Sequence, residues 1–248
     1  MEKRWSITPR HLLRKKCVEY AVKAWRPSSF LEMGAGTGNF TSLFLERGYH
    51  GTCYDLGEEN RSILKKNLRV YQPKIEVLDS LEGLNRSAFN YLFAFEVLEH
   101  IQEDTDELRK WSSYLKPGGR ILLSVPAHMT KYGSEDQFAG HIRRYEKTGL
   151  YHLMKEGGYG DIHILSYGFP FGNITRLFSN LFHSSHRGRD ALTPEERSIQ
   201  SGIERIKPVN RLSFLFNEWT MAPFLFLQNL FFEMDWGTGY VAHGEKLK

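Results

Sequence analysis

The sequence predicts an α/β protein with a doubly wound, seven-stranded sheet that is mostly parallel and has an antiparallel last strand. Between residues 28 and 119, short apolar runs alternate with amphipathic segments, which is the rhythm of repeated strand–helix units. A glycine-rich turn joins the first strand to the next helix, and a final apolar segment lies almost at the end of the sequence. Together these observations favour one α/β core that an insertion interrupts before its last strand.

The order of the elements follows from the periodicity of apolar residues and from the residues that stop helices. Pro117, Gly118 and Gly119 predict the end of one helix, and Gly157 and Gly158 predict the end of another. In chain order we predict helix 9–25, strand 30–33, helix 39–46, strand 51–54, helix 58–68, strands 75–78 and 91–95, helix 103–115, strand 120–125, helix 146–156, and strands 162–167 and 239–243.

The segment between the last two strands is long and rich in phenylalanine, which predicts a helical lid. The predicted domains are a core at 1–168, a lid at 169–235 and the last strand at 236–248. Residues 212–232 carry a single charge, but Pro223 divides them and polar residues interrupt them, so they do not predict a membrane span. A lid over an acceptor pocket is favoured. The alternative is a helix at a membrane surface, next to Arg205, Lys207 and Arg211.

Composition and charge exclude several classes of protein. Hydrophobic residues make up 41% and charged residues 25% of the sequence, which is typical of a folded domain. Cys17 and Cys53 stand alone, so neither a disulfide framework nor a thiolate zinc site is predicted. The net charge of +4 is too small to predict DNA binding, and the basic cluster at 10–16 is interpreted as a solvated face. The first ten residues lack the apolar region of a secretory signal, which favours a cytoplasmic protein.

The turn after the first predicted strand carries glycine at positions 34, 36 and 38. Glycine lets the backbone adopt positive φ and approach a ligand closely, and the following helix presents free N–H groups. A dinucleotide-binding turn would have its third glycine one place later, where this chain has Asn39. The pattern therefore predicts a ligand at this turn and weighs against a nicotinamide or flavin cofactor.

Acidic residues follow the next two predicted strands: Asp55 after the second and Asp79 after the third. With the Glu-x-Gly-x-Gly-x-Gly loop that begins at Glu32, this pattern resembles the Rossmann-like class I S-adenosylmethionine-dependent methyltransferases over about residues 28–168. The resemblance implies that S-adenosylmethionine is the cofactor, with its methionine portion at the loop, its ribose at Asp55 and its adenine near Asp79. The cofactor site that it implies comprises Glu32, Gly34, Ala35, Gly36, Gly38, Asp55, Leu56, Asp79, Ser80, Leu81 and Glu96.

A second informative segment follows the fourth predicted strand, where Glu96, Glu99 and His100 stand at i, i+3 and i+4. One helical turn would bring the three together. The Val-Leu-Glu-His sequence resembles the ubiquinone-biosynthesis O-methyltransferases, and the Glu-x-x-Glu-His spacing resembles metal-dependent small-RNA 2′-hydroxyl methyltransferases.

Three interpretations of this segment stay open. Glu96 lies beside the cofactor while His100 or His141 acts as a general base. Alternatively Glu96, Glu99 and His100 bind a divalent metal ion together with His141 or His128. In the third, Glu99 and His100 only cap or bridge the following helix.

The loop after the fifth predicted strand faces the ligand side of a doubly wound sheet. Its Val-Pro-Ala-His and Gly-His-x-Arg-Arg-Tyr sequences resemble a broad group of bacterial methyltransferases. We predict that His128, Arg143, Arg144 and Tyr145 contact the acceptor. The alternative is a network of arginine and carboxylate groups that fixes the loop.

These patterns predict transfer of a methyl group to a hydroxyl of a small, partly apolar or aromatic acceptor. The alternatives are an N- or C-methyltransferase, a metal-dependent RNA 2′-O-methyltransferase, and a membrane-associated enzyme with a lipid-linked acceptor. Neither Asn-Pro-Pro-Tyr nor Asp-Pro-Pro-Tyr follows the fourth strand, which by resemblance disfavours methylation of base amines. DNA is not expected as a partner, RNA is disfavoured, and peripheral contact with a membrane would involve 212–232.

Overall fold

A computed structural model describes residues 8–175 and 217–247. The sheet has the strand order β3-β2-β1-β4-β5-β7-β6. Its strands are β1 (Ser29–Met33), β2 (His50–Tyr54), β3 (Ile75–Leu78), β4 (Phe89–Phe95), β5 (Leu115–Pro126), β6 (Tyr159–Tyr167) and β7 (Gly239–Lys246). The helices are α1 (Pro9–Ala21), α2 (Asn39–Glu46), α3 (Glu58–Leu68), α4 (Asp104–Tyr114), α5 (Ser134–Ala139), α6 (Lys147–Glu156) and α7 (Glu218–Asn229).

The direction of the strands confirms the predicted fold class. Strands β1 to β5 pair in parallel, and β7 runs antiparallel to both β5 and β6. The chain leaves β1 towards β2 on one side and later returns to β4 on the other side, so the strand order reverses between β1 and β4. A ligand crevice forms at such a switch point, beyond the carboxyl ends of the strands.

Alternating side chains of the central strands build a core on each face of the sheet. Phe30 of β1 and Phe93 of β4 pack on one face with Phe44 of α2, whose ring centroid lies 4.0 Å from that of Phe93. Leu31 points to the opposite face, where the cluster includes Trp111 of α4. Helices therefore cover both faces, as a doubly wound sheet requires.

The two largest errors in the predicted boundaries lie at the end of the first helix and at the start of the fifth strand. The first helix ends at Ala21 and does not continue to residue 25. The fourth helix ends at Tyr114, and β5 begins at once at Leu115, where the sequence predicts a turn through Gly119. Leu115 pairs with Phe89 of β4, which is distant in sequence. Because of this pairing, the segment begins a strand and does not form a turn.

Helix α7 packs on α1 through a buried glutamine. Gln228 Nε2 donates a hydrogen bond of 2.9 Å to the carbonyl oxygen of Leu13, and its Oε1 accepts one of 3.2 Å from the backbone N–H of Gly168. Residues 176–216 of the predicted lid lie outside the described residues, so the lid stays a prediction. Among the described residues, no helix combines the length and the apolar character needed to cross a membrane.

Candidate active site

The glycine loop after β1 is held against the end of β2. Gly34, Gly36 and Gly38 all have positive φ, at 64°, 56° and 87°. The Gly36 N–H donates to Asp55 Oδ2 at 2.8 Å, and the N–H of Ala35 donates to the carbonyl oxygen of Tyr54 at 3.0 Å. The loop thus has a fixed shape in which only glycine is free of strain.

The first two loop glycines meet different surroundings. A Cβ atom on Gly34 would lie 2.5 Å from Cγ2 of Val97, so the backbone there packs tightly against the segment after β4. A Cβ atom on Gly36 would meet nothing within 4 Å. Gly36 therefore borders open space at the switch point, where a ligand can approach the backbone.

Two buried carboxyl groups stand beside this loop. Asp55 Oδ1 accepts hydrogen bonds from the Asn60 side chain at 2.8 Å and from the N–H of Gly57 at 3.2 Å. Glu32 accepts a hydrogen bond of 2.7 Å from the Thr41 hydroxyl. Burial, with a smaller contribution from the charge of Asp55, raises the pKa of Glu32 to about 8. Glu32 therefore holds a proton at neutral pH unless a cation lies beside it.

The outer part of the predicted cofactor site is exposed. Leu56, Asp79 and Ser80 are exposed and Leu81 is half-buried, beyond the ends of β2 and β3. Asp79 accepts hydrogen bonds from the Lys65 ammonium at 2.7 and 2.9 Å, and this contact lowers the pKa of the aspartate. The predicted cofactor site thus runs from buried groups near β1 to an accessible carboxylate near β3, which is compatible with an elongated nucleoside ligand.

Glu96 does not join Glu99 and His100 in one helical turn, so that prediction is wrong. Its φ of 56° turns the backbone, and the segment Leu98–His100 is a short 3-10 helix. The Glu96 carboxylate instead accepts hydrogen bonds from the Ser124 hydroxyl at 3.2 Å and the Tyr167 hydroxyl at 3.3 Å.

Two arginines of α1 also contact Glu96. Arg14 Nη1 lies 3.1 Å from Glu96 Oε1, and Arg10 Nη2 lies 3.4 Å from Oε2. Burial opposes ionisation of Glu96, but Arg14 and Arg10 outweigh it and lower its pKa to about 2. The solvated face predicted for the cluster at 10–16 is therefore wrong for these two arginines, which pair with a buried carboxylate.

Glu99, His100 and His141 form a cluster, and each of the three is a metal ligand predicted from the sequence. One potential ligand atom from each lies within 4.8 Å of the others. His141 Nε2 is 3.6 Å from Glu99 Oε1, and the two imidazole rings meet edge to face with their centroids 4.9 Å apart. Glu96 lies outside this cluster, so three of the four predicted ligands come together.

Both imidazoles are oriented by acceptors on their Nδ1 atoms. His100 Nδ1 lies 3.1 Å from the carbonyl oxygen of Gly140, and His141 Nδ1 lies 2.8 Å from Asp136 Oδ1. A carbonyl or a carboxylate oxygen only accepts, so each Nδ1 carries a hydrogen, and in the neutral form of each imidazole Nε2 is then the atom with a lone pair. This is the arrangement by which proteins orient histidines for a metal ion.

The charges of the cluster favour a cation. Neither carboxylate oxygen of Glu99 has a hydrogen-bond partner among the described residues, although both are buried. Burial, and next the charge of Glu96, raise the pKa of Glu99 well above its usual range. Burial, and next His141, lower the pKa of His100 to about 4. A divalent ion would compensate an ionised Glu99 and would meet a neutral imidazole at His100.

His128 lies apart from this cluster. Its Nδ1 is 3.0 Å from Glu146 Oε2, its Nε2 is 3.4 Å from Asp235 Oδ1, and its own φ is 62°. Of the two histidines predicted to complete a metal site, only His141 joins Glu99 and His100. The contacts of His128 link the end of β5 to the segment that precedes β7.

The other residues predicted to bind the acceptor form a network in which Arg144 and Tyr145 are buried and Arg143 is half-buried. Arg143 donates to Asp104 at 2.6 Å, and Arg144, whose side chain is 0% exposed, donates to both oxygens of Asp136 at 2.9 Å. The Tyr145 hydroxyl donates to Asp104 at 3.0 Å. These are the contacts of the alternative interpretation, in which arginines and carboxylates fix the loop.

Sequence reasoning missed Asp136 as the orienting partner of His141, and it missed Arg10 and Arg14. The available signal for the arginines was their spacing of four residues on one helix, which puts both on one face. Asp136 carried no comparable signal, because its role depends on the turn that brings it back to His141.

Comparison with known proteins decides the family. The profile of a family of methyltransferase domains matches residues 8–164, more than half of the chain. The chain belongs to this family. It is a class I S-adenosylmethionine-dependent methyltransferase domain, which confirms the resemblance seen in the sequence, and S-adenosylmethionine is the methyl donor.

The proteins similar to this chain have names that describe different activities. A ubiquinone biosynthesis O-methyltransferase of Xanthomonas axonopodis pv. citri is 27% identical over 47% of this chain and 52% of its own length, so the match spans about half of that relative. The [4+2]-cyclase SpnF has a TM-score of 0.60 at 14% identity, over 100% of this chain and 84% of its own. A possible histamine N-methyltransferase of Thermotoga maritima has a TM-score of 0.55 at 17% identity, over 92% and 87%. The structural matches show the fold alone.

We expect Gly36→Ala to weaken binding of S-adenosylmethionine to this methyltransferase by about tenfold or more, with only a modest loss of stability. The added methyl group meets no protein atom, but it projects into the space next to the loop. An L-residue at positive φ costs roughly 1–2 kcal/mol. Calorimetric titration and thermal unfolding measure the two effects.

Gly83→Ala is the matched control, because Gly83 has a φ of 74° and also has nothing within 4 Å of a Cβ atom. The control should lose similar stability and keep full affinity for S-adenosylmethionine. Equal affinities for the two variants would contradict the placement of Gly36 at the cofactor.

The buried carboxyl of Glu32 should make the ligand-free methyltransferase less stable as pH rises. Its pKa of about 8 lies above the usual 4.5, so the folded protein binds the proton more tightly than the unfolded chain does. This stabilisation is complete below about pH 4.5 and is lost as pH rises to about 8, by at most roughly 1.4 kcal/mol per pH unit. The unfolding free energy of wild type minus that of Glu32→Gln should fall across this window in denaturant titrations. A constant difference would show that Glu32 is ionised in the free protein.

Proposed function

We propose that this methyltransferase transfers a methyl group to a hydroxyl of a small, partly apolar or aromatic acceptor, and that Glu99, His100 and His141 bind a divalent metal ion that prepares this hydroxyl. The observation that carries the proposal is the buried cluster itself. It combines a carboxylate without a hydrogen-bond partner among the described residues with two oriented imidazole lone pairs.

The properties of His100 favour a ligand over a general base. A general base works best when its pKa lies near the operating pH, and a pKa of about 4 makes His100 a weak base at neutrality. The same low pKa means that no proton competes with a metal ion for Nε2. One carboxylate and two imidazoles suit manganese, iron, cobalt or zinc better than magnesium.

A bound metal ion would lower the pKa of the acceptor hydroxyl and orient its oxygen. The acceptor oxygen then bonds to the methyl carbon while the carbon–sulfur bond breaks, which leaves S-adenosylhomocysteine, and the hydroxyl proton passes to solvent. Charge is neutralised in this step, so the protein contributes mainly by positioning the two reactants and by excluding water from them. Asp55 and the glycine loop would hold the donor, and the buried rings of Phe40 and Phe95 stack on each other where α2 begins and β4 ends.

The activities of similar proteins support oxygen as the methylated atom without deciding it. The O-methyltransferase named above acts in ubiquinone biosynthesis, which supports a hydroxyl as the methyl acceptor. The Thermotoga maritima protein is described as a possible N-methyltransferase, so an amine acceptor is the alternative to test.

The test measures release of S-adenosylhomocysteine with a panel of catechols and phenols, a panel of small amines, and an RNA with a free 3′ terminus. We expect turnover with hydroxyl acceptors, its loss after treatment with a chelator, and its recovery when Mn²⁺ is returned. Turnover with amines alone, or with RNA alone, would overturn the acceptor class. Full activity in protein that holds no metal by elemental analysis would overturn the metal site.

Peripheral contact with a membrane through 212–232 stays a prediction, and an exposed apolar stripe on α7 supports it. Trp219 is 90% exposed and Phe226 is 71% exposed, and Leu230 continues their helical spacing. Residues 219–232 contain no charged side chain. A helix that presents aromatic and aliphatic side chains in this way is suited to the interfacial region of a lipid surface.

We expect a Trp219→Ser, Phe226→Ser double variant to lose sedimentation with phosphatidylcholine–phosphatidylglycerol vesicles while keeping the wild-type unfolding temperature, since both side chains are exposed. Val70→Ser, at a residue 81% exposed on another part of the surface, is the control and should sediment like the wild type. Unchanged sedimentation of the double variant would contradict the prediction. A different result is that the wild type binds no vesicles but self-associates, and that the double variant loses this self-association. The apolar stripe would then be a contact surface for a second copy of the chain.

A further inference from the structure

Arg144 lies inside the protein at the point where β5 ends and β7 begins. None of its side chain is exposed, and its Nη1 donates to the carbonyl oxygens of Ala127 at 3.1 Å and Thr238 at 3.4 Å. Ala127 directly follows β5, and Thr238 directly precedes β7. The guanidinium is therefore fixed to the ends of two strands, and it presents no surface to a ligand that enters from solvent.

The Asp136 carboxylate stands between this arginine and His141. Arg144 Nε donates to both carboxylate oxygens, each at 2.9 Å, and the N–H of Gly133 donates to Oδ2 at 2.9 Å. Oδ1 also lies 2.8 Å from His141 Nδ1. Asp136 is 1% exposed, so the charge of Arg144 compensates its carboxylate in a site that water does not reach. Arg144 and Gly133 therefore set the orientation of the carboxylate that meets His141.

Separate contacts hold the backbone and the ring of His141. Its N–H donates to the carbonyl oxygen of Asp136 at 2.9 Å, and its own carbonyl oxygen accepts a hydrogen bond of 2.8 Å from the Tyr132 hydroxyl. The ring meets the Asp136 carboxylate at Nδ1, while Nε2 lies 3.6 Å from Glu99 Oε1. A partner on one ring nitrogen fixes which nitrogen carries the hydrogen and where the other nitrogen points. The carboxylate thus directs Nε2 towards Glu99, and the backbone contacts use other atoms.

We propose that Arg144 and Asp136 are positioning residues of the metal site, in which Arg144 fixes the Asp136 carboxylate and this carboxylate aims Nε2 of His141 at the ion. The inference rests on the proposed binding of a divalent ion by Glu99, His100 and His141, and it does not depend on the identity of the acceptor. In this assignment neither Arg144 nor Asp136 touches the ion, so each acts through another side chain. Loss of such a supporting group lowers metal affinity by about 10- to 100-fold.

Two double variants separate the aim of the imidazole from the ion pair that supports it. Replacing Asp136 alone would leave the charge of Arg144 buried without a counter-ion and would destabilise the fold, so both residues are replaced together. Asp136→Asn with Arg144→Met (D136N/R144M) keeps an oxygen that accepts the Nδ1 hydrogen of His141. Asp136→Leu with Arg144→Met (D136L/R144M) keeps none. Both variants lose the same ion pair.

We expect Mn²⁺ to bind about tenfold more weakly to D136N/R144M and about 100-fold more weakly to D136L/R144M than to the wild type, the two ends of the range for a supporting group. Calorimetric titration of the metal-free proteins, without donor or acceptor, measures these affinities. Nitrogen-15 NMR spectra of the metal-free proteins at mildly alkaline pH give a second readout. His141 should carry its hydrogen on Nδ1 in the wild type and in D136N/R144M, and it should lose this preference in D136L/R144M.

Arg120→Met with Glu245→Gln is the control. It removes an ion pair of 3.3 Å that also links β5 to β7, but towards the start of β5. This variant should bind Mn²⁺ like the wild type, and His141 should keep its hydrogen on Nδ1.

The outcomes distinguish failure of this inference from failure of the metal site. Wild-type affinity for Mn²⁺ in both double variants would overturn the inference and leave the metal site intact. Equal weakening in the two variants, with the Nδ1 hydrogen of His141 retained in both, would make the ion pair a structural element of the loop and would also overturn it. If D136L/R144M did not fold, D136N/R144M would decide, because wild-type affinity in that variant contradicts the inference. A wild type that binds no Mn²⁺ would overturn the proposed metal site and this inference together.

Discussion

Replacing Glu99 with glutamine should abolish metal binding and reduce methyl transfer by about two orders of magnitude or more while the fold is retained. Glutamine keeps the shape of the side chain but removes the negative charge that a divalent ion needs. Loss of a group that merely supports a ligand already costs 10- to 100-fold, so loss of a ligand should cost at least as much. Activity with a hydroxyl acceptor and metal content by elemental analysis measure the effect.

The stability of the same variant separates a metal ligand from a structural residue. Without metal, Glu99 is a buried carboxyl whose oxygens have no hydrogen-bond partner among the described residues, so its replacement should leave the unfolding temperature equal or higher. Mn²⁺ should raise the unfolding temperature of the wild type and leave that of Glu99→Gln unchanged. Glu76→Gln, at an exposed residue of β3, should respond to Mn²⁺ like the wild type. If Glu99→Gln were strongly destabilised without metal, Glu99 would be a structural residue and not a metal ligand.

The elements of the core could be predicted because their signals are local. The short apolar runs of β1 and β4, and the glycines between β1 and α2, belong to single short segments. The beginning of β5 could not be predicted in this way. Leu115 joins the sheet because of its pairing with Phe89, which lies 26 positions earlier, while the local residues Pro117 to Gly119 indicate a turn.

The candidate site shows the same division between local and distant information. The spacing of Glu99 and His100 identified two of the three residues of the cluster, because those residues are adjacent. The i, i+3, i+4 pattern also assigned Glu96 to the cluster, and this assignment requires that the segment be a regular helix. The segment instead turns at the positive φ of Glu96, and the ion pairs that reach Glu96 from α1 involve partners more than 80 positions away. Sequence spacing carries no information on such partners, so the ion pairs emerged only from the structure.

Asp55→Asn should weaken binding of S-adenosylhomocysteine by about 10- to 100-fold, through loss of charge-assisted hydrogen bonds that are worth roughly 1.5–3 kcal/mol each. The aspartate lies at the end of β2 and already accepts a hydrogen bond from the N–H of Gly36. In the proposed complex it also accepts from the ribose hydroxyls. Asp106→Asn, at an exposed residue of α4 that pairs with the exposed Arg109, removes the same charge outside the residues assigned to the cofactor and should bind like the wild type. Calorimetric titration measures both.

A ligand that lacks one ribose hydroxyl distinguishes direct contact from an effect on the loop. Wild type should bind the 2′-deoxy analogue of S-adenosylhomocysteine clearly more weakly than the parent compound, because a buried carboxylate oxygen then loses its partner. Asp55→Asn should lose most of this discrimination, so that the effects of the two changes are not additive. If the variant weakened both ligands equally, Asp55 would act only through the hydrogen bond that it accepts from Gly36, and the ribose would have to be held by another group at the end of β2.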